Sequence, residues 1–178
     1  MNLPLPKKHL PIGIQTFAKL REQGCYHVDK TPLALDLIQQ GSYYFLSRPR
    51  RFGKSLLIDT LAELFAGNQG LFEGLYCFDK WNWSVCYPVI RISFGGGVLR
   101  NRAELDAKVA ELMDINQQTL GITCVQTDGR ACFAELIRQA HLQTGQRAVV
   151  LVDEYDKPML DNLTHPEVAR ELRDGLRN

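Results

Sequence analysis

The stretch YYFLSRPRRFGKSLLIDTLAELFAG, residues 43–67, reads as a strand, a loop and a helix in immediate succession. Tyr43–Ser47 is an aromatic and aliphatic run bounded by Gly41 and Ser42 on one side and Pro49 on the other, the pattern of a buried strand. Leu56, Leu57, Thr60, Leu61, Leu64 and Phe65 recur at helical spacing, and Gly67 supplies the stop. Between them lies RPRRFGKS, Arg48–Ser55, which matches three of the four defined positions of the phosphate-binding pattern GxxxxGK[ST] and carries an arginine at the first glycine.

Each matching residue type has a physical task in such a loop. A glycine at Gly53 lets backbone N–H groups approach phosphate with no Cβ in the way, and Lys54 brings an ammonium to the outer phosphates. Ser55 offers a hydroxyl to Mg²⁺, while the helix that begins there points the positive end of its dipole at the anion. The guanidiniums of Arg48, Arg50 and Arg51 match phosphate oxygens in geometry, or else pair with acids at strand ends. The expected nucleotide contacts are therefore Arg48, Arg50, Arg51, Phe52, Gly53, Lys54, Ser55 and Leu56.

A second segment supplies the complementary charge. AVVLVDE, residues 148–154, is a continuous aliphatic strand ending in two acids. Asp153 at the carboxyl end of a parallel strand suits a magnesium ligand acting with Ser55, and Glu154 suits the orientation and activation of an attacking water. Glu154 and Lys54 are thus the expected catalytic residues, and Ser55 and Asp153 the expected metal contacts. Lys157, just beyond, needs no reading other than an exposed lysine after a strand.

The rest of the chain alternates in the same way. Helical spacing predicts short helices from Phe17 to Gly24 and from Leu33 to Gly41, longer ones over 102–119 and 131–142, and a last one from Pro166. VIRISF after Pro88 alternates as a strand does and ends at Gly95-Gly96-Gly97, whereas residues 68–87 are aromatic and turn-rich without a period. Strands separated by helices define an α/β chain, here expected as a three-layer α/β/α fold of the P-loop NTPase type with a mostly parallel sheet. Residues 1–32 read as an N-terminal arm near the nucleotide and residues 33–178 as a partial P-loop core.

Lysine and arginine total 21 against 20 aspartate and glutamate in 178 residues, so no basic field calls for nucleic acid or an acidic membrane. A local nucleic-acid patch of Arg48, Pro49, Arg50 and Arg51 with Trp81 and Trp83 as stacking platforms is the weaker alternative. Cys25, Cys77, Cys86, Cys124 and Cys132 are scattered without a CxxC pair, which suits a reducing compartment. With no signal-like leader and no stretch near the roughly 20 apolar residues of a membrane span, a soluble cytoplasmic protein is expected.

Three segments, LPIGIQTFAKLREQGCYHVDKT, YYFLSRPRRFGKSLL and VVLVDEYDKP, resemble in order and wording the prokaryotic AAA-like ATPase family, whose members often carry a PD-(D/E)XK nuclease-like domain C-terminal to the ATPase. The resemblance implies that an arginine at position 48 is usual, that Gly53, Lys54 and Ser55 bind the phosphates and Mg²⁺ of ATP, and that Asp153 and Glu154 form the Walker B pair. It also implies that residues 11–31 lie near the nucleotide base, and that an attached nuclease-like domain or a protein partner is acted upon. A polar sensor strand is expected after the Walker B strand, and none follows Asp161, so the chain reads as the N-terminal part of an ATPase domain lacking the later strands. The competing expectation is a switch that binds ATP and does not hydrolyse it.

Overall fold

The computed structural model describes residues 8–49 and 51–177. They fall into two compact units, Met1–Cys86 and Tyr87–Asn178.

The first unit is helical: α1 (Phe17–Glu22), α2 (Thr31–Gln40) and α3 (Lys54–Phe65), followed by a 3-10 turn at Gln69–Phe72. Phe17, Leu35, Leu64, Phe72 and Cys77 form its core. Thr16 makes no side-chain cap for α1; instead the Phe17 N–H donates to Asp59 Oδ2 of α3 at 2.6 Å, a buried bond between helices. That bond satisfies one of the amides a helix start leaves open and sets the fully buried Phe17 ring 4.9 Å from Phe72.

The strand expected at Tyr43–Ser47 is not formed. The segment has no strand pairing, and Tyr43, Phe45 and Leu46 are 97%, 73% and 44% exposed. The physical reason is non-local: an extended run becomes a strand only when a neighbour takes its N–H and C=O groups, and no strand of this unit is there to do so among the described residues. The Tyr44 hydroxyl instead donates to Leu37 O near the end of α2.

The second unit is α/β. Strand β1 (Val89–Ser93) and strand β2 (Val149–Asp153) pair in parallel, with register from Val89↔Val149 to Ser93↔Asp153. Helices α4 (Arg102–Leu120) and α5 (Gly129–Thr144) make the crossover, and α6 (Lys157–Leu160) and α7 (Pro166–Arg177) follow β2. The helix ends obey local chemistry: Asn101 and Asp128 cap α4 and α5 by accepting first-turn amides, and Gly121 and Gly145 close them in the left-handed region. Ile90, Leu105, Leu112, Met113, Leu136 and Leu172 lie in the core between these elements.

The two strands are unequally covered. Ile90 and Val150 are register partners, yet Ile90 is fully buried and Val150 is 38% exposed, so the helices lie over β1 more than over β2. The outer edge of β1 is closed by a side chain: Asn116 of α4 accepts from Arg91 N at 2.8 Å and donates to Arg91 O at 2.8 Å, as a neighbouring strand would.

A disulfide joins Cys124 in the α4–α5 loop to Cys132 in α5, with Cα atoms 5.5 Å apart. The sequence reading, which found the five cysteines scattered without a CxxC pair, assigned no such bridge. The spacing of seven intervening residues carries no signature of its own, and the pair meets because the buried Glu135 carboxylate accepts Val125 and Gln126 N–H groups and folds the loop back on α5. No helix among the described residues is long and apolar enough to cross a membrane.

Candidate functional site

Within the first unit the glycine loop ends on α3. Gly53 is the residue before the helix, with φ +75° in the left-handed region that a side chain disfavours. Arg51 is also left-handed, at φ 67°. No side chain caps α3, and its first interior bond runs from Leu57 N to Gly53 O, so the amides of Lys54, Ser55 and Leu56 remain as donors at the positive end of a twelve-residue helix. The Lys54 ammonium folds back over the loop and donates to Arg48 O at 2.8 Å and Pro49 O at 3.2 Å.

Around this turn Arg48, Arg51 and Phe52 are exposed, and Ser55 is half-buried in the first turn. Leu56 turns its side chain toward the core of the unit, which leaves only its amide for a ligand. Arg50 lies outside the described residues. The donor set fits an anion such as a phosphate. It offers Mg²⁺ one hydroxyl, and no group of three or more His, Cys, Asp or Glu side chains suited to a metal ion occurs among the described residues. A cation there fits if the phosphate oxygens and water complete its shell, which is how magnesium usually sits at nucleotides.

A second element reaches the same loop. Asp29 Oδ1 accepts from Thr31 N at 2.8 Å and from Thr31 Oγ1 at 2.7 Å, its Oδ2 accepts from Tyr76 N at 2.7 Å, and Thr31 Oγ1 accepts from Cys77 N at 3.1 Å. This turn fixes the start of α2, where Pro32 pre-sets the helical φ. Lys30 sits between these anchors, and its Nζ lies 4.0 Å from the position a Cβ on Gly53 would take. The family resemblance put Asp29, Lys30 and Thr31 near the nucleotide base, and the residues themselves read as the preface to a helix. The signal was present in their order, an Asx turn before proline, but not the direction in which Lys30 would extend.

The same network carries a pH dependence. Burial, and then the charge of Arg21, hold His27 below its usual value of 6.5, with Asp29 opposing and Lys30 assisting. Burial pushes Asp29 up, but hydrogen bonds from Tyr76 and Thr31, with His27 nearby, bring it below its usual 3.8. Both groups bind a proton more weakly when folded, so stability is full above pH 6.5, falls as His27 is forced to charge, and falls again below 3.8 as Asp29 loses its bonds. The His27 Nδ1 is buried with no hydrogen-bond partner among the described residues, and its ring packs 5.6 Å from Phe17. His27→Leu is therefore expected to flatten the loss that sets in below pH 6.5 in urea titrations; an undiminished loss would assign it elsewhere.

In the second unit the two acids stand at the end of β2. Asp153 pairs in register with Ser93; its backbone O accepts from Phe94 N, and its Oδ1 accepts from Glu154 N at 3.0 Å. Glu154 is exposed and left-handed at φ 53°, an unusual conformation for a side-chain-bearing residue that turns the chain off the strand. Its Oε2 lies 3.0 Å from where a Cβ on Gly95 would stand, and Ser93 Oγ lies 3.2 Å from that point. The glycines after β1 therefore leave room for the Glu154 carboxylate, a task not apparent when they read only as a strand stop. Lys157, read from the sequence as an exposed lysine, is half-buried, pairs with Asp161 and donates to Gly97 O.

The tryptophans weighed as stacking platforms are packing residues. Trp81 meets Phe65 edge-on at 5.6 Å, and Trp83 lies 5.2 Å from Phe72 with its Nε1 donating to Phe78 O.

The described residues thus comprise an α/β unit whose parallel strand pair ends in adjacent acids, and a helical unit in which a left-handed glycine precedes α3. Residues 11–178 match the family described as predicted AAA-ATPase (AAA-ATPase-like), and the chain belongs to that family. It is 67% identical over 175 residues to an uncharacterized protein in the vnfD 5′ region of Azotobacter chroococcum mcd 1. That alignment covers 98% of this chain, which spans about a third (34%) of the length of that curated relative. No solved structure matches.

Proposed function

We propose that this chain carries the ATP-binding and catalytic residues of a magnesium-dependent ATPase, with the Gly53 loop as Walker A and Asp153 and Glu154 as Walker B. The observation that carries this reading is the start of α3, where a left-handed glycine, an uncapped helix and Lys54 present donors and positive charge to an anion together. Family membership supports it, because an ATPase-like family suggests nucleotide and metal use.

In this reading the amides of Lys54, Ser55 and Leu56 hold phosphate oxygens, and Lys54 leaves the loop carbonyls to meet the ligand's charge. Arg48, Arg51 and Phe52, exposed around the turn, are further nucleotide contacts in this reading, as is Arg50, which lies outside the described residues. Ser55 in the first unit and Asp153 in the second are the groups proposed as contacts of Mg²⁺, which would supply charge neutralisation on the phosphates. Glu154 orients a water and takes up its proton. The two-stranded sheet belongs to a larger three-layer P-loop sheet extended from β2, whose Val150 and Val152 are exposed. Residues 1–32 form an arm at the nucleotide, the protein acts in the cytoplasm, and turnover drives an effector such as an attached nuclease-like domain.

Titration of the chain with a fluorescent ATP analogue tests the reading. Lys54→Ala is expected to weaken binding about ten- to a hundredfold, the value of one lost charge-assisted contact. Equal affinity in the two proteins would remove the loop from the site.

A further inference from the structure

Lys54 is not the lysine that faces the open side of the glycine turn. Its ammonium is engaged with Arg48 O and Pro49 O, on the carbonyl side of the loop. Over Gly53, at the position a Cβ would fill, Lys30 Nζ is the one atom of the described residues within 4 Å from outside the local chain. The left-handed conformation of Gly53 leaves that space without a side chain of its own, and Lys30 borders it.

Lys30 is also held so that its charge stays available. Thr31, the next residue, is fully buried and bonded through its hydroxyl to both Asp29 and the Cys77 amide, so the backbone that carries Lys30 is fixed and only its side chain moves. The neighbouring carboxylate of Asp29 is turned toward Thr31 N, Thr31 Oγ1 and Tyr76 N and makes no ion pair with Lys30 among the described residues. Lys30 is exposed and forms no ion pair among the described residues. An ammonium placed over a glycine turn with no counter-ion is positioned for an anion that comes from outside.

We infer that Lys30 is a second phosphate-contacting cation of this site, which makes the site select nucleotides by the charge of their phosphate chain. The inference rests on the ATP-binding reading above and deepens it. It also moves the Asp29–Thr31 turn from the nucleotide base, where the family resemblance put it, to the phosphates. A compact ammonium on a flexible stem contributes attraction without fixed geometry, so it favours tri- and diphosphates over the monophosphate and adds little to recognition of the base.

The test is the affinity of the chain, and of Lys30→Ala, Lys30→Arg and Lys54→Ala, for ATP, ADP and AMP. Lys30→Ala is expected to lose about tenfold for ATP and less than about twofold for AMP, and Lys30→Arg to recover most of the loss. Uniform weakening for all three nucleotides would mean a structural effect and would overturn the inference. So would unchanged ATP affinity in Lys30→Ala beside a loss in Lys54→Ala, which leaves the phosphate loop intact as a site. If the unaltered chain binds none of the three, the ATP-binding reading fails and takes this inference with it.

Discussion

Glu154→Gln is expected to lower ATP turnover by about a hundredfold or more in the full-length protein while leaving nucleotide affinity within about twofold. The size follows from what the substitution keeps. Glutamine preserves the length of the side chain and its fit against Gly95, where an added Cβ would stand 3.0 Å from the carboxylate. It also preserves the Glu154 amide bond to Asp153 Oδ1, which shapes the left-handed turn at φ 53°. What it removes is the capacity to accept a proton from an attacking water, and general bases contribute about 10²–10⁴-fold. A fall in both turnover and affinity would instead mark Glu154 as a group that binds the ground state. Binding with no turnover in the unsubstituted protein would favour the non-hydrolysing switch.

The strained backbone at Glu154 bears on the same experiment. A residue with a side chain held at positive φ costs free energy and persists where its surroundings over-determine it. Here Asp153 supplies that constraint through its carboxylate bond to the Glu154 amide. An alteration at Asp153 therefore acts on both members of the pair, whereas Glu154→Gln separates the proton from the geometry.

The elements that proved legible in the sequence are those whose determinants are local. The helix expected over 102–119 is α4, Arg102–Leu120, because Asn101 caps it and Gly121 ends it within the same stretch of chain. The strands read from VIRISF and AVVLVDE are β1 and β2, each of which finds in the other the partner for its backbone N–H and C=O groups. Tyr43–Ser47 has an equally good strand composition and forms none, because composition cannot supply the partner that a strand requires. The site divides along the same line. Gly53 and Lys54 stand out as candidates in the sequence because the phosphate pattern is a contiguous string, and Arg48, its odd letter, lies exposed at the loop's edge. Lys30 was not readable, since its approach to Gly53 depends on how Asp29 and Thr31 anchor against residues 76 and 77, nearly fifty positions away.

Asn116 is a polar residue in the middle of a helix, at a position where sequence alone suggests a minor defect. In the fold it is 2% exposed and all of its hydrogen-bonding groups are in use. Its oxygen accepts from Arg91 N at 2.8 Å, and its amide donates to Arg91 O at 2.8 Å and to Leu112 O at 2.7 Å. The Arg91 groups that point away from β2 are thereby satisfied without a third strand, which ends the sheet at β1 and leaves β2 as the side where it can grow. Asn116→Ala removes these bonds at once and opens a small cavity between α4 and β1. With about 1–3 kcal/mol for each buried group left unpaired, and water reaching the strand edge to recover part of it, the expected loss is about 3 kcal/mol in urea unfolding. Asn116→Asp sharpens the test: it keeps the acceptor for Arg91 N but sets a carboxylate oxygen against Arg91 O, so it is expected to destabilise at least as much as alanine despite its near-identical shape. A loss below about 1 kcal/mol in both variants would mean that water pairs this edge as well as Asn116 does, and that the sheet has no closed side.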